Sequence, residues 1–442
     1  MSVKSNEKLK KVMRSELCSR CGTCVGLSGG KLVFDNKEGK YLPKITGKLD
    51  DKLADKIWAA CPAKHFDFPA YRHNFYPDAS HFHEYTGPYE NMYIGYATDE
   101  KVRRNAASGG LISAVLIHLL NSNAIDGVVT LRMSKTKPWL TEPFIATTKA
   151  GIIEAAESKY IISSVNDILP QMEAFIGKLA FVGIPPQVQS IRKLQKMNDP
   201  AVRNIKYIFG PFYGNTLYFS SVKSFLRSHG EKDHSKIKKL YFRYGEWPGS
   251  MRVEMQSGKI LELKKFHANY LIPFHVVKNS LYCTDFTNEF TDISGGDAWA
   301  PVYEERGKGF SMIIARTPAG TKIINEMVKS GALHTEPLSE KEAIKMHSHG
   351  YDLKKRGSFI RIKFRKLCGK QIPDYGYTLS GFGIKRHVME MVISFLFMVL
   401  RTRLARWTVE QLPPGFIGKR FEKARNFWKR STRKIKRENL AE

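Results

Sequence analysis

Cysteine residues carry the clearest chemical signal in this sequence. Cys18, Cys21 and Cys24 stand at strict three-residue spacing, and the distant Cys61 is followed at once by a proline. Three closely spaced thiolates and a remote Cys-Pro are typical ligands of a [4Fe–4S] cluster. Gly22, inside the run, leaves room for backbone N–H groups to approach the cluster sulfides. The spacing therefore predicts one [4Fe–4S] cluster held by these four cysteines.

Zinc is the main alternative for the same ligands, because four thiolates also suit a tetrahedral zinc ion. Zinc sites are usually built from two C-x-x-C pairs, and a triple run is uncommon among them. A second cluster is not expected in this segment, since Ser28 stands four residues after Cys24, where a two-cluster ferredoxin carries another cysteine. The pattern favours iron–sulfur chemistry over zinc and over four free thiols.

A second chemical signal is a glycine turn ahead of a predicted helix. Ser108, Gly109 and Gly110 immediately precede an apolar stretch with helical spacing at residues 111–120. Ser108 could cap that helix, and the glycines would let a phosphate or a flavin reach N–H groups whose dipole favours an anion. Plain helix capping explains the same residues, so the turn alone does not specify a ligand.

A polar tripeptide further along the chain could contribute to the same kind of site. Ser158, Lys159 and Tyr160 offer a hydroxyl, a cation and an aromatic ring at consecutive positions. In isolation they would be ordinary surface residues. Their significance depends on the elements that position them.

The pattern of elements after residue 92 indicates an α/β domain. Apolar β-like runs alternate with amphipathic helical stretches, which is typical of a sheet with flanking helices. The β-rich middle argues against a purely parallel sheet, so we expect a mixed sheet in an α/β (α+β) fold. The clearest predicted elements are strands at 126–131, 179–182 and 205–209, helices at 187–196 and 216–228, and a hairpin at 251–263.

Composition divides the chain into four segments. We expect a small ferredoxin-like iron–sulfur domain at 1–68 and a linker rich in Pro, His and aromatic residues at 69–91. A larger mixed-sheet domain is predicted at 92–370. The remaining residues, 371–442, are predicted to form a basic amphipathic helical tail.

Length and charge restrict the class of protein. The 442 residues carry 71 Lys+Arg against 42 Asp+Glu, a net charge of +29, and 42% of them are hydrophobic. That apolar content can bury substantial cores and excludes a disordered chain. Six cysteines are too few for a disulfide scaffold of this length. The first residues are charged and contain no apolar run of signal-peptide length, so we expect a cytoplasmic protein.

The C-terminal segment combines apolar and basic residues. The apolar stretch at 388–400 is too short to cross a bilayer, which needs roughly 20 residues. Residues 389–406 resemble an interfacial helix, which makes 387–442 a candidate for peripheral attachment to an anionic inner membrane face. A helix packed on the domain with a solvated basic end is an equal alternative. Nucleic acid is not an expected partner, because no recognised binding module accompanies the charge.

In their order along the chain, nine sequence pieces resemble the beta-subunit family of coenzyme F420 hydrogenases and formate dehydrogenases. That family also includes 7-hydroxymethyl chlorophyll a reductase and a ferredoxin-dependent divinyl chlorophyllide vinyl reductase. The resemblance runs from about Cys18 to about Gly320. The pieces are LCSRCGTCVG, AACP, RNAASGGLISAVLIHLL, AIDGVV, ESKYIISSVNDIL, FVGIPPQ, IFGPFYGNT, YCTDFTNEFTDISGGDAW and GFSMIIARTPAG.

The resemblance implies an iron–sulfur flavoprotein, with FAD bound in the domain at 92–370 and one [4Fe–4S] cluster nearby. The cofactors would perform the redox step while the protein supplies orientation and electrostatics. The positions that would lie at the FAD or its phosphates are Ser108, Gly109, Gly110, Ser158, Lys159 and Tyr160.

Departures from the family pattern concern a second cluster. Many members carry cysteines where this chain has Pro186, Tyr213 and Ser280, so the resemblance implies that a second cluster has been lost. Cys283 alone survives from that motif. It is predicted either as a vestige packed in the core or as a proton donor or cluster ligand close to the flavin, and Cys283 and Asp285 are the candidate catalytic residues.

The implied function is electron transfer from reduced ferredoxin or reduced coenzyme F420, through the cluster and FAD, to an organic substrate such as a lipid-linked or unsaturated compound. The basic surface would suit either donor, because ferredoxins are acidic and the coenzyme carries phosphate and glutamates. One alternative is an electron-transfer subunit of a larger hydrogenase or dehydrogenase. Another is a cofactor-poor, membrane-associated member of a polysaccharide-assembly system. A homo-oligomer or a larger redox complex fits either redox function.

Overall fold

The chain is seen in a computed structural model that describes residues 5–303 and 307–437. The predicted iron–sulfur domain, mixed-sheet domain and tail each include a few positions outside these described residues, namely 1–4, 304–306 and 438–442. The predicted α/β class is confirmed. A large mixed sheet with flanking helices is followed by a helical tail.

The N-terminal unit is small and largely helical. Its strands β1 and β2 pair antiparallel. Leu9, Leu32 and Ile57 pack together in a core of its own, and the Asp50 side chain accepts from the backbone N–H of Leu53 to cap the helix that ends before Cys61. The elements are α1 Ser5–Arg14, α2 Thr23–Leu27, β1 Leu32–Val33, β2 Lys44–Ile45 and α3 Asp51–Ala60.

The predicted linker at 69–91 is folded structure that belongs to the main body. Tyr71, Tyr76 and Tyr85 are buried in the largest hydrophobic core of the chain. The aromatic residues that led to the prediction of a linker therefore pack in this core. The elements in this interval are α4 Phe68–Phe75, β3 His81–His83 and β4 Gly87–Tyr89.

The strands of the main body confirm the predicted strands and hairpin. Strands β11 and β12 pair antiparallel with Met251 opposite Leu263, as the hairpin prediction requires. The strands are β5 Asn91–Ala97, β6 Gly127–Met133, β7 Thr141–Ala146, β8 Leu179–Val182, β9 Ile205–Pro211, β10 Ile237–Tyr244, β11 Ser250–Met255, β12 Ile260–Lys264, β13 Ile293–Asp297, β14 Ser311–Ala315 and β15 Leu333–Pro337.

Eight of these strands form one mixed sheet in the order β15-β5-β14-β13-β9-β8-β6-β7. The neighbours β13/β9, β9/β8 and β8/β6 are parallel, and the outer pairs are antiparallel. Strands β10, β11 and β12 make a separate three-stranded sheet. Ligands of such folds bind beyond the carboxyl ends of the parallel strands, so this edge of the central strands is where a site is expected.

Helices cover both faces of the large sheet. Val115 on the predicted helix near 111–120 packs with Phe209 and Ile313 of the sheet. The helices are α5 Glu100–Arg104, α6 Leu111–Asn121, α7 Lys149–Ala155, α8 Leu169–Ala174, α9 Pro185–Lys196, α10 Ser220–Ser228, α11 Lys265–Ala268, α12 Leu271–His275, α13 Lys278–Tyr282, α14 Pro318–Lys329, α15 Glu340–Met346, α16 Ser348–Tyr351 and α17 Gly357–Leu367. A 3₁₀ turn at Val165–Ile168 and a π-helical turn at Asp352–Arg356 also bear on the site.

The chain returns to the main core before the tail helices begin. The Phe66 backbone N–H donates to the Asp374 carbonyl at 2.9 Å, which ties the segment after α17 to the N-terminal part of the chain. Over the part of the chain that the structure describes, no helix is both long and apolar enough to cross a membrane. The tail consists of α18 Ile384–Leu400, α19 Arg403–Glu410, α20 Pro414–Ser431 and α21 Arg433–Arg437.

Candidate functional site

The four cysteines predicted as ligands lie at the junction of α2 and α3. Cys61 terminates α3, and Cys24 lies within α2. None of the four forms a disulfide. Burial raises the pKa of Cys24 well above its usual value, and the nearby thiols of Cys18, Cys21 and Cys61 raise it further. The folded chain thus brings the four predicted ligands into one buried neighbourhood.

These thiols do not converge on a single point. Among residues 5–303 and 307–437, no group of three or more His, Cys, Asp or Glu side chains has the arrangement that holds one metal ion. A zinc ion needs every sulfur about 2.3 Å from one centre. A [4Fe–4S] cluster binds each thiolate through a different iron and therefore needs its ligands further apart.

The cysteine loop is packed against the 3₁₀ turn at 165–168. Gly22 has φ of +99°, and a Cβ at this position would lie 2.3 Å from Asp167 Oδ1. The backbone N–H of Asn166 donates to the Cys21 carbonyl at 3.1 Å. Glycine is required here by both its conformation and the close approach. This packing explains the glycine, and its predicted role beside cluster sulfides stays a prediction.

A buried lysine stands beside the cysteines. Lys193 on α9 donates from Nζ to the carbonyls of Cys61 and His65 at 2.8 and 2.9 Å. Burial lowers the pKa of Lys193, and the thiols of Cys61 and Cys21 oppose that effect. The ammonium would partly compensate negative charge on a thiolate-bound metal group.

A cavity of about 480 Å³ opens beyond the carboxyl ends of β8, β9 and β13. Its size is in the range of natural small-molecule sites. Gly109 lies behind its wall, where its N–H donates to Ser311 Oγ at 3.0 Å. The other predicted flavin residues all line the cavity, and these are Ser108, Gly110, Ser158, Lys159 and Tyr160.

No side chain of the glycine turn caps helix α6. Gly110, with φ of +80°, is the N-cap of α6, and no side chain caps that helix. Ser108 Oγ instead lies 2.8 Å from Ser311 Oγ. The first N–H groups of α6 therefore have no side-chain acceptor, and the helix start borders the cavity. An uncapped helix N-terminus favours an anionic group such as a phosphate.

Lys159 is tied to the protein backbone. Its Nζ donates to the carbonyls of Ala155, Ala156 and Glu157 at 2.8, 2.7 and 3.3 Å. Burial lowers the pKa of Lys159 to about 8, against the opposing effect of nearby Glu157. The lysine thus closes the end of α7 and shapes the cavity wall.

The sequence analysis missed Arg243, which organises one end of the cavity. Arg243 Nη1 donates to the Tyr160 hydroxyl at 3.2 Å, and Nη2 lies 3.2 Å from Asp297 Oδ1. Burial opposes ionisation of Asp297, but Arg243 outweighs burial and holds the pKa of the carboxyl below its usual value. Trp247 Nε1 donates to the same oxygen at 3.0 Å. No local motif marks Arg243, which lies in an ordinary strand.

Lys265 adds a second cation at this end. Its Nζ lies 5.9 Å from the ring centroid of Tyr160 and 5.4 Å from that of Trp299. Burial raises the pKa of the Tyr160 phenol, but Lys265 and Arg243 outweigh burial, so the net shift is downward. A phenol of lowered pKa that lines a cavity can hold and release a proton.

Two residues of the cavity wall each have a buried polar atom without a hydrogen-bond partner in the described chain. Ser221 Oγ and His347 Nε2 are buried and make no hydrogen bond within the described chain, and both residues line the cavity. Burial lowers the pKa of His347 to about 4, so its ring is neutral near pH 7. Unpartnered buried groups are costly. A polar ligand in the cavity would satisfy them, and FAD stays a prediction for this site.

A hydrogen-bonded path joins the cysteines to the cavity. Cys21 Sγ donates to Thr23 Oγ1 at 3.4 Å, and Asn166 Nδ2 donates to the same oxygen at 2.9 Å. Asn166 also donates to the Gln187 carbonyl at 3.2 Å. Gln187 lines the cavity and donates from Nε2 to the Ser163 carbonyl at 2.6 Å. The two candidate redox positions are thus linked by hydrogen bonds through side chains and the backbone carbonyl of Gln187.

The predicted catalytic pair lies behind the cavity wall. Cys283 and Asp285 are buried and do not line the cavity. Cys283 Sγ lies 3.7 Å from the Asp285 carbonyl oxygen, and burial raises the pKa of the thiol. The Asp285 carboxyl accepts from the Glu289 backbone N–H at 3.1 Å. A catalytic role for either residue stays a prediction.

A lysine and a tyrosine stand beside Cys283. Lys354 Nζ donates to the Ser280 carbonyl at 2.7 Å and lies 4.1 Å from the ring centroid of Tyr213. Burial lowers the pKa of Lys354 to about 8, and nearby Cys283 opposes this. Tyr213, Ser280 and Cys283 are among the positions at which the family resemblance implies the ligands of a second cluster. A buried ammonium and an aromatic ring now share this region.

The chain resembles known proteins over more than half of its length. Two family profiles match it, and both describe the beta subunit of coenzyme F420 hydrogenase/dehydrogenase. The profile for the N-terminal part of that subunit matches residues 92–170. The profile for its C-terminal part matches residues 176–341. Together they cover more than half of the sequence.

Among the relatives, a coenzyme F420-dependent sulfite reductase from Methanocaldococcus jannaschii is 25% identical over 79% of this chain and 52% of its own length. The chain thus spans about half of that protein. The coenzyme F420 hydrogenase subunit beta of Methanosarcina barkeri is 26% identical over 58% of this chain and 84% of its own length. A chain of the F420-reducing [NiFe] hydrogenase complex from Methanosarcina barkeri has the same fold, with a TM-score of 0.52 and 22% identity over 67% of this chain and 99% of its own.

Proposed function

Because the chain belongs to the coenzyme F420 hydrogenase/dehydrogenase beta-subunit family, we propose that it is an oxidoreductase that uses one [4Fe–4S] cluster and FAD. The observation that carries the proposal is the set of close polar contacts that runs from Cys21 Sγ, which would be a thiolate once iron is bound, through Thr23 and Asn166 to Gln187 in the cavity wall. Relatives named as oxidoreductases or as their subunits support a redox role.

Cys18, Cys21, Cys24 and Cys61 would hold the cluster, and Lys193 would place a positive charge beside it. Their thiols are buried, and burial with the neighbouring Cys21 and Cys18 raises the pKa of Cys61 to about 12. A bound metal removes such protons because it coordinates the thiolate directly. Cys61 would therefore stay protonated until iron is inserted.

FAD would supply a group that exchanges electrons singly with a cluster and in pairs with an organic compound. The uncapped start of α6 at Gly110 would receive phosphate oxygens. Ser221 and His347 would offer hydrogen bonds to polar ring atoms. Lys159 would hold the wall at the end of α7 in place.

Tyr160 is the side chain best arranged to deliver a proton inside the cavity. Arg243 holds its hydroxyl at 3.2 Å, and the flanking cations lower the pKa of the phenol against the effect of burial. Reduction of a double bond by a hydride leaves the second atom in need of a proton. The phenol would supply that proton, and the neighbouring Arg243 and Lys265 would stabilise the phenolate that remains.

The electron donor is proposed to be reduced ferredoxin or reduced coenzyme F420, and the acceptor an organic, lipid-linked or unsaturated compound. A net charge of +29 would attract either acidic donor. A cytoplasmic location and assembly into a homo-oligomer or a larger redox complex belong to the same proposal. Cys283 and Asp285 would act from behind the wall rather than on the substrate directly.

A second candidate is an electron-transfer subunit that depends on a larger enzyme. One relative is named as the beta subunit of a hydrogenase and another as part of a dehydrogenase, and both favour this candidate. A cofactor-poor member of a polysaccharide-assembly system is a third candidate. The cysteine neighbourhood and the unpartnered polar groups of the cavity speak against that third function.

Rapid mixing under anaerobic conditions separates these candidates. Reduced ferredoxin or reduced coenzyme F420 is mixed with the purified, cofactor-loaded chain while the flavin absorbance is followed. Bleaching by one donor, followed by recovery on addition of an unsaturated acceptor, supports the single-chain enzyme. Bleaching with recovery only in the presence of a co-purifying partner supports dependence on a larger enzyme. Tyr160→Phe should bleach normally and recover more slowly, because only proton delivery is removed.

A further inference from the structure

Helix α18 buries an arginine and a glutamate inside the protein and exposes most of its apolar side chains. Arg386 and Glu390 are completely buried. Val388, Phe395 and Met398 are 52%, 58% and 63% exposed. Surface helices of globular proteins show the opposite distribution. This reversed distribution indicates that another surface, outside the described chain, covers the exposed apolar side chains of α18.

A buried ion network fixes the helix in this orientation. Arg386 Nε lies 2.7 Å from Asp352 Oδ1, and its Nη2 lies 2.8 Å from Glu390 Oε2. Arg361 Nη1 lies 2.5 Å from Glu390 Oε1. Rotation of α18 would leave these charges buried without partners, which is strongly unfavourable. The helix therefore cannot turn its apolar face inward.

The outward apolar residues form a continuous face. They recur at i, i+3 and i+4 along α18, which places them on one side of a helix. The face extends to α19 and the start of α20 through Leu404, Trp407 and Phe416, which are 71%, 60% and 50% exposed. Contiguous exposed patches of this kind mark interaction surfaces. On α18 the residues are Ile384, Val388, Met391, Val392, Phe395, Leu396, Met398 and Val399.

The charge around this face is almost all positive. Residues 384–437 contain fifteen Lys and Arg against three acidic residues. The acidic residues are turned inward, since Glu390 is buried, Glu410 pairs with Arg227 and Glu422 pairs with His267. The exposed basic residues are Lys385, Arg403, Lys419, Arg420, Lys423, Arg430, Arg433 and Lys434.

We propose that the surface of α18, α19 and α20 docks on an anionic lipid membrane, with the apolar face in the headgroup layer. Apolar side chains flanked by exposed lysines and arginines match a bilayer of acyl chains and anionic headgroups. Trp407 is a residue type suited to the boundary between the two layers. The ion network holds the face rigidly, so little conformational entropy is lost on docking.

The docking surface is attached to the elements that line the cavity. Helix α20 packs on α11, where Gly418 meets the His267 side chain, and α12 packs against α18. Lys265 of α11 and Ile272 of α12 line the cavity. Docking would therefore bring the cavity close to the bilayer surface. This last step rests on the proposed function, whereas docking itself does not.

Vesicle flotation with the full chain tests the proposal. Vesicles of phosphatidylcholine with phosphatidylglycerol are compared with vesicles of phosphatidylcholine alone. The wild-type chain should float with the anionic vesicles, and added salt should weaken binding. A variant carrying Phe395→Glu and Leu396→Glu should bind at least about tenfold more weakly, because each glutamate replaces an apolar side chain with a negative charge that an anionic bilayer repels. Lys419→Glu should weaken binding by roughly fivefold or more.

Ile176→Glu is the matched control, since Ile176 is 95% exposed and lies outside the tail. It should leave flotation unchanged. Circular dichroism shows whether each variant is folded, and flavin content is measured separately so that a failure of the redox proposal is distinguishable. The proposal is overturned if the wild type ignores anionic vesicles. It is also overturned if light scattering shows a dimer that the double glutamate variant dissociates, because the face would then be covered by a second copy.

Discussion

The side-chain amide of Asn166 donates to the Thr23 hydroxyl at 2.9 Å and so joins the cysteine loop to the main body. The same amide donates to the Gln187 carbonyl at the cavity wall. The interface between the N-terminal unit and the cavity domain is thus a specific, buried contact. Its geometry fixes the separation between the two proposed redox groups.

Replacement of Asn166 by leucine should destabilise the fold and slow electron transfer. The change removes two hydrogen bonds and leaves the buried Thr23 hydroxyl with fewer partners, at a cost of about 1–3 kcal/mol. Chemical denaturation measures the loss of stability. Rapid mixing measures the rate at which electrons pass from the reduced cluster to the flavin.

Asn204→Leu is the control, because Asn204 donates to the Phe175 carbonyl at 2.6 Å in a different region. It should cost a similar free energy of unfolding without changing the electron-transfer rate. Equal slowing in both variants would show that loss of stability alone explains the effect.

Lys193→Met should lower the midpoint potential of the cluster. The buried ammonium donates to the Cys61 carbonyl at 2.8 Å, and its positive charge favours the reduced, more negative state. Redox titration monitored by electron paramagnetic resonance measures the potential. The exposed Lys196, one turn away on α9, is the matched control, and Lys196→Met should leave the potential nearly unchanged. A shift of the same size in both variants would contradict the assignment.

Asp285→Asn should change the dependence of stability on pH. Burial and nearby Glu289 raise the pKa of Asp285 to about 6, above the value of about 3.9 in an unfolded chain. Between about pH 4 and pH 6 the folded chain therefore binds more protons than the unfolded chain, so this group makes the fold less stable as pH rises. Relative to wild type, the variant should gain stability across that window, at about 1.4 kcal/mol for each unit of pKa difference.

Denaturation at several pH values tests this directly. Asp233→Asn is the comparison, because Asp233 is exposed and hydrogen bonds from Ser235 lower its pKa. Its effect should be flat between pH 4 and pH 6. A flat difference for Asp285→Asn as well would mean that its carboxyl is ionised throughout the window.

Thiol labelling should distinguish the two cysteines outside the predicted ligand set. Cys368 is exposed, whereas Cys283 is buried and burial raises the pKa of its thiol. Because the thiolate is the reactive form, iodoacetamide should label Cys368 rapidly and Cys283 slowly in the folded chain. Peptide mass spectrometry identifies the labelled residue. Rapid labelling of Cys283 would indicate that the wall beside Tyr213 opens in solution.

Local signals in the sequence were sufficient for the main elements and for several residues that line the cavity. The hairpin around 256–259 and the strand at 179–182 follow from periodicity, and the structure has both. The turn at Ser108 and Gly110 was recognisable because a glycine turn before a helix is a local feature. Its capping arrangement was not, since the partner of Ser108 is Ser311, about two hundred positions away in the chain.

Long-range contacts explain what sequence patterns did not reveal. Lys265 lines the cavity from a short helix, and Arg243 of the second sheet holds the lining residue Tyr160, yet nothing near them in sequence indicates a shared site. Lys354 reaches Cys283 because a π-helical turn directs it inward. The tail was recognised as apolar and basic, but its reversed burial depends on the pairing of Arg386 with Asp352. Packing decides such features, and composition alone does not record them.

Iron and flavin analysis of the anaerobically purified chain tests the central claim most directly. Visible spectroscopy and electron paramagnetic resonance should accompany the metal and flavin counts, with Cys24→Ser and Cys368→Ser prepared in parallel. One [4Fe–4S] cluster and one flavin predict about four irons and one FAD per chain, with the iron lost in Cys24→Ser and kept in Cys368→Ser. Zinc in place of iron, about eight irons, or a colourless preparation free of iron and flavin would contradict the account.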